Sequence, residues 1–314
     1  MTDPSPLYVF ATREHYVRHM RPITEILKER GHEIVQSTPP VGAPVLVASG
    51  TDTAPMVKRR VIYVEHGAGQ SYDGDPEGRH NGEAGYPGGA GCRDVVLFIC
   101  PNQSVADRWN ATYPDTPTAV VGDPSLDKWH LNPPTPTKPR IAMTFHWPSG
   151  FSPEAGTAWP EFQRYIDDRL LPFALFEGIS LVGHSHPRWG DNLVSSFAAM
   201  GIPTVSYDAV MDTATLLIAD NTSMLPEFAS TGRPVLFLTS EGWRRDINHG
   251  GRFWDWPEGQ VECADPFHLM DYVRAALADG DDVAAARQRM VADVYAYTDG
   301  HAAERAADAI EAIL

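Results

Sequence analysis

The residues with the most chemistry in them stand directly behind short apolar runs. Glu65-His66-Gly67-Ala68-Gly69 follows Val61–Val64, and a histidine there, with glycines beside it, leaves room for a ligand's close approach. Its chemical reading is a general base that takes a proton from an acceptor hydroxyl; the plainer reading is a solvent histidine in a loop. Gly183-His184-Ser185-His186-Pro187-Arg188 follows Ile179–Val182 and sets two histidines and an arginine within five residues. Such a group binds phosphate or, through its histidines, a metal; otherwise it is a polar turn. One functional histidine is expected in this group rather than a matched pair.

A third group, Asp220-Asn221-Thr222-Ser223 with Glu227 beyond it, lies between the apolar run Leu216–Ala219 and a short helical stretch. Free N–H groups and two hydroxyls at such a junction have the form of a diphosphate cradle. Simple N-capping by Asp220 or Thr222 uses the same residues. The fourth group, Glu241 to Asp255, alternates aromatic and arginine side chains with glycines and includes His249 and Arg252. It reads as a clamp on a base or an acceptor, or as a packed surface loop. Further candidates are Gly67 and His146.

Elements that would carry these groups are legible in the apolar pattern. Strands are expected at Leu7–Phe10, Glu33–Val35, Val45–Ala48, Val61–Val64, Val95–Ile99 and Thr118–Val121, with helices from Thr12 to about Gly31 and from Gln103 to Tyr113. Residues 67–91 are rich in Gly, Asp and Pro, and a loop that long behind a strand is usually functional. Asn132-Pro-Pro-Thr-Pro-Thr-Lys-Pro139 cannot continue a helix or a central strand and reads as a stiff linker. The pattern then restarts. Strands are expected at Ile141–Phe145, Ile179–Val182, Pro203–Ser206, Leu216–Ala219 and Pro234–Leu238, and helices at Trp159–Phe176, Asn192–Met200 and Met224–Ser230. Residues 266–314 are Ala-rich and helical, broken at Asp299-Gly300. Strands alternating with helices argue for parallel sheets covered on both faces.

Composition narrows the partners. The 314 residues carry a net charge of -16, which repels nucleic-acid backbones at long range, so extended DNA or RNA binding is not expected. A single nucleotide diphosphate can still be held by backbone N–H groups. Three widely spaced cysteines suggest neither a disulfide framework nor a zinc module, no run is long enough to span a bilayer, and Met1–Pro6 lacks the basic start and apolar stretch of a signal peptide, so none is expected. The expected location is cytoplasmic.

The order of the groups resembles the CDP-glycerol:poly(glycerophosphate) glycerophosphotransferases, the builders of teichoic acid chains. Matching elements are His66-Gly67, Gly122-Asp-Pro124-Ser-Leu-Asp127, His186-Pro187, Asp220-Asn-Thr222-Ser223, Arg233-Pro234-Val235 and Asp299-Gly300-His-Ala302-Ala-Glu-Arg305. Together they cover most of residues 60–310. The opening, Thr12-Arg13 through Glu25–His32, is similar to the first βαβ unit of UDP-sugar GT-B enzymes and 2-epimerases. Where the family carries Pro-Thr-Trp-Arg and a late Arg-Gly, this chain has Phe145-His146-Trp147-Pro148 and Gly250-Gly251, so a sugar stands beside glycerophosphate as the transferred group.

The resemblance implies an α/β protein of GT-B type, two Rossmann-like domains with parallel sheets facing across a cleft. The expected division is 1–133 for the acceptor-side domain, 134–139 for the linker and 140–287 for the nucleotide-donor domain, with C-terminal helices 288–314 packing back on the first. It implies transfer of a glycosyl or glycerophosphoryl group from a CDP- or UDP-linked donor to a hydroxyl of an unidentified acceptor, with no metal or cofactor required. His66 and His186 would be the catalytic histidines; Thr222 and Ser223, with Asp220, Asn221, Glu227, His184 and Arg188 around them, would hold the donor. One alternative is a metallophosphoesterase, since Gly122–Asp127 and Gly183–His186 imitate that class's Gly-Asp-x-x-Asp and Gly-His-x-His elements. The other is a UDP-sugar 2-epimerase-like enzyme.

Overall fold

A computed structural model describes residues 6–67, 92, 94–148, 156–243, 245 and 255–314. The chain forms two compact units, one of Met1–Leu131 with Ala292–Leu314 and one of Asn132–Ile247 with Arg252–Val291.

The first unit is built on six parallel strands: β1 (Leu7–Val9), β2 (Ile34–Val35), β3 (Pro44–Val47), β4 (Arg60–Val64), β5 (Val95–Cys100) and β6 (Thr118–Val120), in the order β2-β1-β3-β4-β5-β6. Valine, isoleucine and leucine fill the inner strands because helices cover both faces, leaving no side for polar residues. Helix α1 (Glu14–Glu29) turns Tyr16, Met20, Ile23 and Leu27 inward at helical spacing. It stops at Gly31, whose φ of +94° is a conformation that side chains other than glycine's resist. A short α2 (Gly50–Thr53) follows β3, and α3 (Gln103–Thr112) follows β5, capped by Asn102. After β6 comes α4 (Asp127–Leu131).

In the second unit β7 (Arg140–Phe145) leads to α5 (Trp159–Tyr165), a π-helical turn over Ile166–Leu170 and α6 (Leu171–Phe176). Then come β8 (Ser180–Ser185), α7 (Asp191–Ala199), α8 (Tyr207–Thr213), β9 (Leu216–Ala219), α9 (Met224–Ala229), β10 (Val235–Leu238) and β11 (Val261–Cys263), and afterwards α10 (Leu269–Ala278) and α11 (Asp281–Val294). Its five strands are again all parallel, ordered β11-β10-β9-β7-β8. Read in chain order within each unit, both sheets place the first strand between the second and the third. Connections therefore leave β1 and β3, and likewise β7 and β9, in opposite directions, opening the crevice where open α/β sheets take ligands.

The last helix, α12 (Ala302–Glu311), belongs to the first unit, where Ala303, Ala306, Ala307 and Ile310 join the core of Leu7, Tyr16, Met20 and Leu27. Asp127 accepts the free N–H groups of Ala302 and Ala303 at 3.0 and 2.7 Å, capping α12 and favouring its positive end. Among the described residues no helix is long and apolar enough to cross a membrane.

Two expected elements come out differently, and others appear that were not expected. Residues Pro203–Ser206 make one bridge, Thr204 with Gly183, and no strand: Pro203 brings no N–H, and Ser206 is taken up capping α8. β11 and α8 were not anticipated; Val-Glu-Cys is too short a run to signal a strand. The C-terminal stretch breaks at Asp279-Gly280, with Asp279 left-handed at φ +40°, as well as near Gly300. Residues 68–91, which include nearly all of the long Gly/Asp/Pro loop, lie outside the described residues, as do His249 and Arg252.

Candidate active site

In the second unit, chain leaves β7, β8 and β9 at one end of the sheet and brings together most of the donor-side candidates. The His146 and His186 rings lie 5.6 Å apart between centroids, and His186 stacks on Trp147 at 6.3 Å. The Arg188 guanidinium sits 5.1 Å over the Trp147 ring, a cation held by an aromatic face. The backbone N–H of Arg188 donates to His186 Nδ1 at 3.1 Å. That bond fixes the neutral tautomer: the proton resides on Nε2, so the far side of the ring offers a donor and not a lone pair. His186 is thereby shaped to hydrogen-bond an oxyanion.

The two neighbouring histidines part company, His184 within β8 and His186 just past its end. His184 Nδ1 lies 3.2 Å from the Val205 carbonyl, which can only accept, and its ring meets Tyr207 edge-on at 6.2 Å. Tyr207 in turn donates its hydroxyl to Glu227, a buried carboxylate on α9. Gly183 permits the arrangement, because a Cβ there would run into the Phe197 ring.

Asp220 does something the sequence did not disclose. It is fully buried, and its oxygens accept from His146 N–H, the Thr157 hydroxyl and Ala158 N–H, the last two at 2.9 Å. Burial pushes this carboxyl up to about 7 even though these donors pull the other way. Asp220 thus ties the segment after β7 and the start of α5 to the end of β9; its carboxylate oxygens are spent on the protein and would in any case repel a phosphate. Asp220 was expected beside the donor; its oxygens here accept from the protein. Asn221 is buried beside it; Thr222 and Ser223 stand at the mouth of α9, with the Thr222 hydroxyl 3.4 Å from Met224 N–H.

Arg233 of the Arg-Pro-Val element is also internal. Its guanidinium donates to Met211 and Ala214 carbonyls and lies 4.1 Å over Phe228.

In the first unit His66 emerges from β4 half-buried, with Gly67 in a positive-φ turn of +81° just behind it. Tyr16 approaches its ring edge-on at 4.9 Å and His19 at 5.9 Å, both from one face of α1. Neighbouring Glu65 is buried, and desolvation lifts it to about 8 against the pull of Arg108. Below the sheet end lies Asp123, also buried, which accepts from the Ser125 N–H and hydroxyl at 2.8 Å. Burial alone would raise the Asp123 carboxyl, yet His19, Arg18 and Ser125 together hold it below its ordinary range. His19 and Asp123 were not singled out for this group by sequence reasoning. The one available signal was a histidine in an otherwise apolar helix stripe.

These positions weaken the metallophosphoesterase comparison at its first element: Asp127 caps α12 and Asp123 faces Ser125 and His19, so the Gly-Asp-x-x-Asp spacing is filled by internal contacts.

The model of the CDP-Glycerol:Poly(glycerophosphate) glycerophosphotransferase family matches residues 156–312, half of the chain. The chain belongs to that family. It is accordingly a transferase that passes an activated group from a nucleotide-linked donor to an acceptor. No curated protein matches it in sequence. Among solved structures, a variant of the wall teichoic acid polymerase TagF soaked with CDPG superposes with a TM-score of 0.65 at 13% identity, over 98% of this chain and 88% of that one. A putative UDP-N-acetylglucosamine 2-epimerase from Listeria monocytogenes gives 0.64 at 14% identity, over 98% and 96%. The S. aureus MnaA–UDP co-structure gives 0.61 at 15%, over 98% and 96%. At these identities the likeness speaks for the fold, two Rossmann-like parallel α/β units of the GT-B kind.

Proposed function

We propose that this family member transfers a glycosyl or glycerophosphoryl group from a CDP- or UDP-linked donor to an acceptor hydroxyl, with the second unit holding the donor and His66 of the first acting as base. The observation that carries the donor side is the His186–Trp147–Arg188 arrangement behind β7 and β8. It offers one oriented N–H donor and one fixed cation beside the crevice between β7 and β9. Such groups stabilise the charge that grows on a departing nucleotide without reorganising. Thr222 and Ser223 add hydroxyls from the neighbouring strand end, and Glu227, held by Tyr207, suits a ribose hydroxyl. The molecules named with the TagF and MnaA structures, CDPG and UDP, suggest CDP- and UDP-linked donors as the two classes to try first.

In the proposed step the acceptor O–H proton moves to a ring nitrogen of His66. The acceptor oxygen bonds to carbon or phosphorus of the donor, and the bond to the departing nucleotide breaks. Charge on that nucleotide is met by His186 Nε2–H and Arg188, so the proposal calls for no metal. Thermal unfolding with CDP-glycerol, UDP-sugars, GDP-sugars and dTDP-sugars tests the donor. A true donor at a hundredfold excess over its Kd stabilises by about 2.7 kcal/mol, which moves the midpoint by several degrees. Release of free nucleotide, unchanged by EDTA, separates transfer from epimerisation, in which the nucleotide stays attached. The proposal is lost if no donor of any class shifts the midpoint.

A further inference from the structure

Behind His66 the first unit buries a carboxylate and a second imidazole that donor binding does not use. His19 and Asp123 are each only 3% exposed, and His19 Nδ1 stands 3.8 Å from Asp123 Oδ1. On the other side of the ring, the Arg18 guanidinium lies 3.2 Å from His19 Nε2. A guanidinium can only donate, so Nε2 must present its lone pair and the ring proton belongs on Nδ1, pointing at Asp123. The Ser125 N–H and hydroxyl hold Asp123 by the same oxygen, Oδ1, that faces His19. The His19 ring then meets His66 edge to face, while Tyr16, one helical turn before it, walls the same histidine. Three separate segments, α1, the turn behind β4 and the loop behind β6, thus converge on one ring. Burying an anion and an imidazole costs stability unless something is gained.

We propose that Asp123 and His19 are a positioning pair for His66: they fix its ring and stabilise the imidazolium formed when the acceptor's proton arrives. His19 keeps its own proton throughout. Asp123 stays ionised, and its negative charge, one ring removed, favours the protonated form of His66. Among the described residues the other charged or titratable groups around this pocket are Arg18 from α1, Glu65 from the end of β4, Arg108, which acts on Glu65 from α3, and Asp127 and His130 of α4, which interact with Asp123. Arg18 opposes the imidazolium, and Asp123 offsets it. The inference rests on His66 being the base.

Histidine-labelled protein, titrated by NMR with His66 assigned through its loss in H66Q, tests the pairing without any donor or acceptor. In Asp123→Asn the His66 titration is expected to fall by about half a pH unit or more, a fraction of the effect of a directly adjacent charge. In His19→Gln its ring resonances should shift and broaden. Transfer by both variants should show a lowered kcat with unchanged KM for the donor, and a pH profile displaced with the His66 titration; a merely structural role would not displace it. If both variants fail to fold, the wild-type protein still decides, because long-range ¹⁵N correlations must place the His19 proton on Nδ1. A proton on Nε2, or a His66 titration unmoved in Asp123→Asn, overturns the pairing. A displaced titration together with full transfer by H66Q supports the pairing and sinks only the base reading.

Discussion

The two units share a strand order, and each bridges its crevice with a buried aspartate, but they put different chemistry above it. In the first unit Asp52, just behind β3, accepts the N–H and hydroxyl of Thr12 from the loop behind β1, at 3.2 and 2.6 Å. In the second, Asp220, just behind β9, accepts the N–H of His146 from the segment behind β7 and the hydroxyl of Thr157. The same topological problem, two neighbouring strand ends whose chains diverge, has the same solution: a carboxylate across the gap satisfies N–H groups the sheet cannot pair. Around these bridges the units part. The second surrounds its crevice with His146, Trp147, His186 and Arg188, a set suited to an anion. The first moves its histidine one strand outward, to β4, and backs it with Glu65, His19 and Asp123, a set suited to a proton. One fold therefore carries two clusters of different chemistry.

The sharpest way to break this contrast is to delete each histidine. His66→Ala and His186→Ala are each expected to lower turnover by about 10²-fold or more, the usual scale for an acid–base group. Only His186→Ala should also reduce the thermal stabilisation conferred by donor. A donor response lost in His66→Ala and kept in His186→Ala would reverse the assignment. Next in size is the bridge. Asp220→Ala leaves one buried and two half-buried donors without their acceptor and is expected to cost about 2 kcal/mol or more in chemical denaturation, with donor affinity falling alongside. The pH dependence has a definite sign. The Asp220 carboxyl is raised to about 7 from an ordinary value of 3.8, so the folded state binds the extra proton between those limits. Stability from this group is greatest below about 4 and is lost as pH rises toward 7. Asp220→Asn should flatten that slope relative to wild type; parallel curves for the two proteins would refute the account. The smallest effect is steric. Gly183→Ala forces a methyl group into the Phe197 ring and should cost about 1–3 kcal/mol while displacing His184 and His186 together. A variant as stable and active as wild type would show that β8 is not held by that contact.

Much of this could be read before any coordinates. Every inner strand announced itself as a run of β-branched and aliphatic residues, because a strand buried on both faces has no polar positions to confuse the pattern. The edges were harder: Val261-Glu-Cys263 gives three residues with a charge in the middle, and Pro203–Val205 contributes a single bridge. Within the site, His66 and His186 were visible because they follow strands directly. Asp220 was visible too, but its role was not, since the same Asp-Asn-Thr-Ser letters serve a phosphate cradle and an internal tie, and only burial with three donors tells them apart. His19 was hidden by its position. In the stripe of Tyr16, Met20, Ile23 and Leu27 a histidine passes for core, and the partner that gives it meaning is more than a hundred residues away at Asp123.

The excursion of α12 also sets a timetable for biosynthesis. The core of Leu7, Tyr16 and Met20 is completed by Ala303, Ala306 and Ile310, and Asp127 finds its N–H partners only at Ala302 and Ala303. As the nascent chain leaves the ribosome, the second unit therefore has all its strands in hand while the earlier-made first unit still lacks its closing piece. The half of the molecule whose translation begins first is the half whose last piece is translated last.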